Sequence, residues 1–186
     1  MAILVNADFE NGTGSLVAQG WLGGSSAFGV YYQDANGTLS FETATVKNGL
    51  QAIQVAVGGG NAWVSAANGI ISTPANIQAT CPVVLPSTQY IIGGWQKSSG
   101  FTINLSGLSL FITEYDESGT QTASYQSSAL SSTQDWTFVS RTWTTQPTTK
   151  YLYVQYVRGN GSNGTLYADN FSLERVGGGG FLLNYL

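Results

Sequence analysis

Asn-Gly pairs are the feature that most restricts the fold of this chain. They occur six times, at 11–12, 36–37, 48–49, 68–69, 160–161 and 163–164. Asn and Gly adopt positive φ at low cost, so each pair favours a tight turn between two strands. Turn signals placed this closely predict many short strands and leave little room for long helices.

The segments between these turns are rich in β-branched and aromatic residues, and many of them alternate with a period of two. In 135–145, for example, Trp136 and Phe138 fall on one face, while Val139 and Trp143 fall on the other. Similar strands are predicted at 50–57, 108–113, 151–157 and 166–176. No stretch shows a convincing helical period. Roughly ten short strands with regular turn signals indicate an all-β sandwich or barrel.

Composition narrows the classes of partner. A chain of 186 residues suggests one domain with a sizeable core. Only 9% of the residues are charged, with a net charge of −4 and six Lys+Arg, so neither a nucleic acid nor an anionic membrane is an expected partner. No apolar run approaches the roughly 18 residues of a spanning helix, and the first ten residues lack the basic start of a secretory signal. Solubility based on uncharged polar residues is common in extracellular and virion proteins, and we expect one of those locations.

Residue types also weigh against an enzyme. Without histidine there is no Ser-His-Asp or Cys-His arrangement, and the Gly-rich stretches lack the Lys-Ser/Thr of a P-loop. Cys81 is the single cysteine, so no intrachain disulfide forms and a buried thiol is expected. A glycosidase needs two carboxylates. Glu42, Glu114, Asp116 and Glu117 qualify by type alone, but no spacing selects a pair, and turn-capping or solvated positions explain them more simply.

The C-terminal segment differs from the rest of the chain. Residues 1–176 form the predicted domain, and 177–186 combine a tetraglycine hinge with an apolar end. That end either folds back on its own sandwich, is the cut edge of a longer chain, or is an arm that docks on a neighbour. The docking residues would be Phe181, Leu182, Leu183, Tyr185 and Leu186.

Four segments in consistent order resemble jelly-roll carbohydrate-binding modules. They are "NADFENGTGSLVAQGW" (6–21), "VKNGLQAIQV" (46–55), "QDWTFVSRTWTTQPTTKYLYVQYV" (134–157) and "LYADNFSLE" (166–174). The resemblance covers about residues 5–176 and implies a jelly-roll β-sandwich of two antiparallel sheets, galactose-binding-like. The shared residues are mostly structural, so the resemblance marks the fold more surely than it marks sugar binding.

The resemblance also implies a structural calcium ion, Ca2+, where the N-terminal segment meets the last strand. It assigns Glu10 and Asp169 as side-chain ligands and backbone carbonyls at Asp8 and near Lys47 as the others. Calcium prefers six to eight oxygens of this mixed kind, and two carboxylates brought together would otherwise repel. The alternative is that Glu10 and Asp169 only form hydrogen bonds in turns.

Sugar binding needs aromatic faces with amide, guanidinium or carboxylate groups beside them. Trp63 follows three glycines and Asn61 and is predicted to lie in a strand that lines the concave cleft of sugar-binding relatives, so the resemblance makes it the first candidate. The further candidates for the same cleft are Tyr115, Tyr153, Gln155 and Arg158.

Two functions remain open. One is a non-catalytic carbohydrate-binding module with a glycan partner. The other is a virion structural protein, a capsid decoration or tail or fibre adhesin, that contacts capsid or tail proteins or its own copies through the apolar tail. Both functions can apply to the same protein, since a module on a virion surface can bind a host glycan.

Overall fold

A computed structural model describes residues 37–57, 64–102, 109–126, 133–158 and 163–177. These residues form nine strands and one helix. Their bounds are β1 Gly37–Glu42, β2 Ala52–Val57, β3 Val64–Asn68, α1 Pro74–Thr80, β4 Gln89–Thr102, β5 Ser109–Tyr115, β6 Gln121–Gln126, β7 Gln134–Thr144, β8 Tyr151–Arg158 and β9 Asn163–Arg175.

The strands form two antiparallel sheets. One sheet has the order β1-β2-β9-β4-β7 and the other the order β3-β8-β5-β6. The predicted all-β sandwich of two antiparallel sheets is thereby confirmed. The domain boundary at 176 and the hinge after it stay predictions, because residues 178–186 lie outside the described part of the chain.

Apolar side chains from both sheets fill the space between them. In the five-stranded sheet Ile53, Ile92, Leu166 and Ala168 are fully buried, and in the four-stranded sheet Ile112, Leu152 and Val154 are. Directly opposite residues in an antiparallel pair share a face, and Ile112 is opposite Val154, as Ile53 is opposite Ala168. The alternation seen in the sequence therefore gives each sheet an inner apolar face and an outer face.

Two glycines let aromatic rings lie against both faces of strand β4, which pairs with β9 and β7. A Cβ on Gly94 would overlap the Phe171 ring, which is buried, and a Cβ on Gly93 would overlap the Phe138 ring at the opposite surface. Successive residues of a strand point to opposite sides, so the pair Gly93-Gly94 serves one ring on each side.

Helix α1 covers one end of the outer face of the four-stranded sheet. Thr73 caps it by accepting a hydrogen bond from the Asn76 N–H at 3.2 Å, and Pro74 occupies its first position, as is common at helix starts. Beneath it lies a small second core, made of Ile77, Cys81, Tyr115, Tyr151 and Tyr153. No helix within the described residues is long and apolar enough to cross a membrane.

Cys81 is a buried free thiol, as predicted. Burial raises its pKa to about 11, outweighing the opposite effect of hydrogen bonds to Thr80 and the Ile70 backbone. The unfolded thiol has the ordinary, lower pKa, so between pH 9 and 11 the unfolded state loses its proton first and stability falls as pH rises. We expect wild type to lose up to about 2 kcal/mol more than Cys81→Ala over this interval. Urea unfolding at several pH values measures the difference, and parallel pH profiles for the two proteins would contradict it.

Candidate functional site

The strands that carry the predicted sugar-binding residues are neighbours in one sheet. Tyr115 ends β5, while Tyr153, Gln155 and Arg158 lie on β8, which pairs with both β5 and β3. Arg158 is in register with Val64, the first residue of β3. Trp63 immediately precedes β3 and lies outside the described residues. The fold therefore gathers these segments on the four-stranded sheet.

Two of the predicted sugar-binding residues are packed inside the protein. The relative exposure of Tyr115 is 7% and that of Tyr153 is 2%, because both rings lie under α1 in the second core. A sugar ring stacks on an accessible aromatic face, which neither tyrosine offers. We therefore treat both as packing residues and do not assign them to a ligand surface.

Beyond the helix, the same outer face carries Phe111. Phe111 is in register with Gln155 on one side and with Gln126 on the other. Thr113, two residues along β5, is in register with Ser124. Phe111 and Thr113 are partly exposed, and Ser124 and Gln126 are exposed. We call these four residues and the Gln155 register position the Phe111 surface.

The Phe111 surface combines groups that suit a sugar. A partly exposed ring lies among amide and hydroxyl residues, which matches the apolar faces and hydroxyl groups of a pyranose. The sequence carried a usable signal for Phe111, because it alternates with Leu110 and Ile112 and so points away from their face. Phe111 was not among the residues predicted from the sequence to line the cleft.

Asp169 connects the last strand to the loop between β1 and β2. Its fully buried carboxylate accepts hydrogen bonds at Oδ2 from the N–H groups of Lys47, at 2.8 Å, and Asn48, at 3.0 Å. The structure thus brings together Lys47 and Asp169, two of the four residues predicted for calcium. Asp8 and Glu10 lie outside the described residues. Within the described residues, no group of three or more Cys, Asp or Glu could hold a metal.

Glu114 has a structural role that its residue type did not reveal. It is fully buried; Oε1 accepts a hydrogen bond from Trp143 Nε1 at 2.9 Å, and Oε2 accepts one from the Gln146 N–H at 2.8 Å and one from the Thr149 hydroxyl. Trp143 belongs to the five-stranded sheet and Glu114 to the four-stranded sheet. Glu114 is therefore not solvated, but it holds the turn at residues 146–149, as the turn-capping alternative predicted, and also binds the indole of the other sheet.

The other three candidate carboxylates match the turn-capping or solvated positions predicted for them. Glu42 accepts from the backbone of Ala44 and Thr45. Asp116 caps its turn. Hydrogen bonds from the Ser118 hydroxyl, which has the larger effect, and from the Thr120 N–H lower the pKa of its carboxyl group. The side chain of Glu117 is 86% exposed, with Lys150 Nζ at 3.8 Å.

The docking residues predicted in the tail, Phe181, Leu182, Leu183, Tyr185 and Leu186, lie outside the described residues. Their role stays a prediction, as does that of Trp63.

Comparison with known proteins identifies the fold. No family model matches the chain and no curated protein matches it. Solved structures do match. The enzymatically active domain of tailspike protein 4 of bacteriophage CBA120 has a TM-score of 0.64 at 14% identity, over 94% of this chain and 21% of that one. A family 16 carbohydrate-binding module has a TM-score of 0.57 at 21% identity, over 92% of this chain and 98% of that one.

A third structure, the CBM22-1 xylan-binding domain of Paenibacillus barcinonensis Xyn10C, has a TM-score of 0.52 at 17% identity over 94% of each chain. The chain spans about a fifth of the tailspike domain but nearly the whole of the two modules. At these identities the similarity defines the fold. That fold is the jelly-roll β-sandwich predicted from the sequence, and the two carbohydrate-binding modules share it.

Proposed function

We propose that this protein is a non-catalytic glycan-binding module and that the Phe111 surface contacts the glycan, with Trp63 as a further predicted contact. The observation that carries the proposal is the adjacency of β3, β8, β5 and β6 in one sheet. That adjacency sets a partly exposed aromatic ring among amide and hydroxyl residues on its outer face.

Two further observations support this function. Modules of nearly the same length share the fold, and one of them is a xylan-binding domain. Each of the four candidate catalytic carboxylates has a structural partner or an exposed position that explains it without chemistry. A module of this kind would act outside the cell or on a virion surface.

Affinity electrophoresis in gels containing xylan, β-glucan or galactan tests the proposal. We expect at least one polysaccharide to retard the wild-type chain. The Phe111→Ser and Gln155→Ala variants should each bind that polysaccharide with an affinity lower by about tenfold or more. Gln146→Ala, at an exposed position outside the Phe111 surface, is the matched control and should migrate as wild type. Unchanged retardation of both surface variants would contradict the location.

We also propose that a structural calcium ion binds at Asp169. The buried Asp169 carboxylate lies against the backbone of residues 47 and 48. A carbonyl near Lys47 would therefore be close enough to supply another of the oxygen ligands that calcium prefers. Asp8 and Glu10 would supply the rest from the N-terminal segment. The ion would cross-link the two ends of the domain and take no part in ligand chemistry.

Thermal unfolding with calcium and with a chelator tests the ion. We expect saturating calcium to raise Tm by about 5 °C or more, because only the folded chain holds the ligands together. Glu10→Gln should abolish the increase, while Glu117→Gln, at an exposed acid, should keep it. A wild-type Tm that is insensitive to calcium would overturn this proposal.

A virion structural role is the second candidate, favoured by the match to a bacteriophage tailspike domain. In that role the apolar end of the tail, residues 181–186, would dock on capsid or tail proteins or on a second copy. Sizing the full chain against a chain truncated at 176 tests the self-association form. A full chain that is larger than a monomer, with a monomeric truncation, supports it, and two monomers would contradict it.

A further inference from the structure

The outer face of the five-stranded sheet carries a second aromatic cluster. Asp169 on β9, Trp95 on β4 and Phe138 on β7 are in register across three adjacent strands. The Trp95 and Phe138 rings meet edge to face, with centroids 5.5 Å apart at 65°. Phe138 stays 47% exposed, so a large part of its ring faces solvent. We call Lys47, Trp95, Lys97, Asp135 and Phe138 the Trp95 surface.

A lysine is held over this cluster. Lys47 Nζ lies 4.2 Å from the centroid of the Trp95 ring. The backbone N–H of the same residue is fixed by Asp169, 2.8 Å away. A cation over a tryptophan face is attracted by the ring quadrupole. Lys47 is thus held at both ends, at its backbone by Asp169 and at its ammonium by the Trp95 ring.

Charge pairing distinguishes Lys47 from the other two lysines of the chain. Lys97 Nζ is 2.9 Å from Asp135 Oδ1, and Lys150 Nζ is 3.8 Å from Glu117 Oε1. Lys47 makes no ion pair within the described ranges. Among the described residues, Lys47 is therefore held by a ring contact and a backbone hydrogen bond, with no acidic side chain paired to its ammonium.

The Lys97–Asp135 pair borders the cluster. The hydrogen bond from Lys97 lowers the pKa of Asp135, and the more distant charge of Lys47 adds a small contribution in the same direction. The ammonium groups of Lys97 and Lys47 therefore both lie close enough to Asp135 to affect its carboxylate. On an exposed surface, an ammonium can also donate hydrogen bonds to sugar hydroxyl groups, and a carboxylate can accept hydrogen bonds from them.

We propose that the Trp95 surface is a second carbohydrate site, selective for an acidic oligosaccharide that contains uronate residues. The uronate carboxylate would pair with Lys47, the pyranose ring would lie on Phe138 beside Trp95, and Lys97 with Asp135 would bind hydroxyl groups. Charge complementarity at Lys47 selects the acid, and the exposed ring distinguishes a sugar from a simple anion. This site lies on the opposite sheet from the Phe111 surface and does not depend on it.

Titration of the full chain with trigalacturonate and with its methyl ester tests the proposal. The acid should bind saturably, the neutral ester at least about tenfold more weakly, and added salt should weaken the acid further. Lys47→Met and Phe138→Ser should each reduce affinity for the acid about tenfold or more. Both positions are at the surface, so we expect the variants to remain folded, and thermal unfolding checks this.

Matched controls separate this site from general charge and from the other surface. Lys150→Met removes a lysine elsewhere, and Leu85→Ser removes an apolar side chain with the same exposure as Phe138; both should bind trigalacturonate as wild type does. Gln155→Ala should also leave this binding unchanged. The proposal is overturned by any of three results: no saturable binding of trigalacturonate, equal binding of ester or polyglutamate, or a dimer in solution that Phe138→Ser dissociates.

Discussion

Replacing Glu114 with alanine should destabilise the fold by about 3–5 kcal/mol. The substitution removes the acceptor for the Trp143 indole, the Gln146 N–H and the Thr149 hydroxyl, all in the neighbourhood of a fully buried carboxylate. The Trp143 indole and the Thr149 hydroxyl are buried, so each would lose its partner with no water to replace it, while the Gln146 N–H is only part-buried. Urea unfolding, followed by tryptophan fluorescence, measures the change.

Two companion variants make this test specific. Glu114→Gln keeps the shape but has one acceptor oxygen, so its NH₂ group would face a donor, and we expect a loss of about 1–3 kcal/mol. Glu117→Ala, at an exposed acid with a distant partner, should change stability by less than about 0.5 kcal/mol. A Glu114→Ala protein as stable as the Glu117→Ala protein would show that the carboxylate does not tie the sheets together.

Gly94→Ala should have the second large effect, a loss of about 2–4 kcal/mol. The added methyl group overlaps the Phe171 ring, which is buried in the core and cannot turn out into solvent. Gly93→Ala is the matched control on the same strand. Its methyl group overlaps Phe138, but that ring is half exposed and can rotate outward, so we expect a loss below about 1 kcal/mol.

Urea midpoints of the two alanine variants give this comparison directly. The order of the two losses is the decisive result, because both substitutions change the same residue type in adjacent positions. If Gly93→Ala proved as destabilising as Gly94→Ala, the assignment of inner and outer faces to β4 would be wrong.

Much of the sheet structure could be predicted from local sequence. Alternation at 135–145, 151–157 and 166–176 places β7, β8 and β9 close to their observed bounds. Alternation arises from one face of a strand meeting the core, so it is visible without knowing the partner strand. It does not say which face meets the core: Val139 and Trp143 are buried, while Phe138 is exposed.

The errors come from contacts between distant segments. Tyr115 and Tyr153 are buried because a helix of seven residues packs over them. Its capping signal, Thr73-Pro74, is present in the sequence, but so short a helix leaves no 3.6-residue period to detect. Sequence alone gave no indication that this helix would lie on the predicted cleft.

Asn163-Gly164 shows a similar limit for turn signals. The motif predicts a turn at this pair, but both residues belong to β9. Gly164 has φ of +107° and lies where the strand passes the carbonyl groups of Ser99 and Gly100, too close for a Cβ. The glycine was needed for a close approach of two backbones, which a sequence motif cannot distinguish from a turn.

The location of bound glycan is the most direct test of the proposed function. Hydrogen exchange followed by mass spectrometry, with the polysaccharide that retards the chain, reports protection strand by strand. We expect new protection in peptides that cover β5 and β8. Protection confined to β4 and β7, or no protection anywhere at saturating glycan, would contradict it.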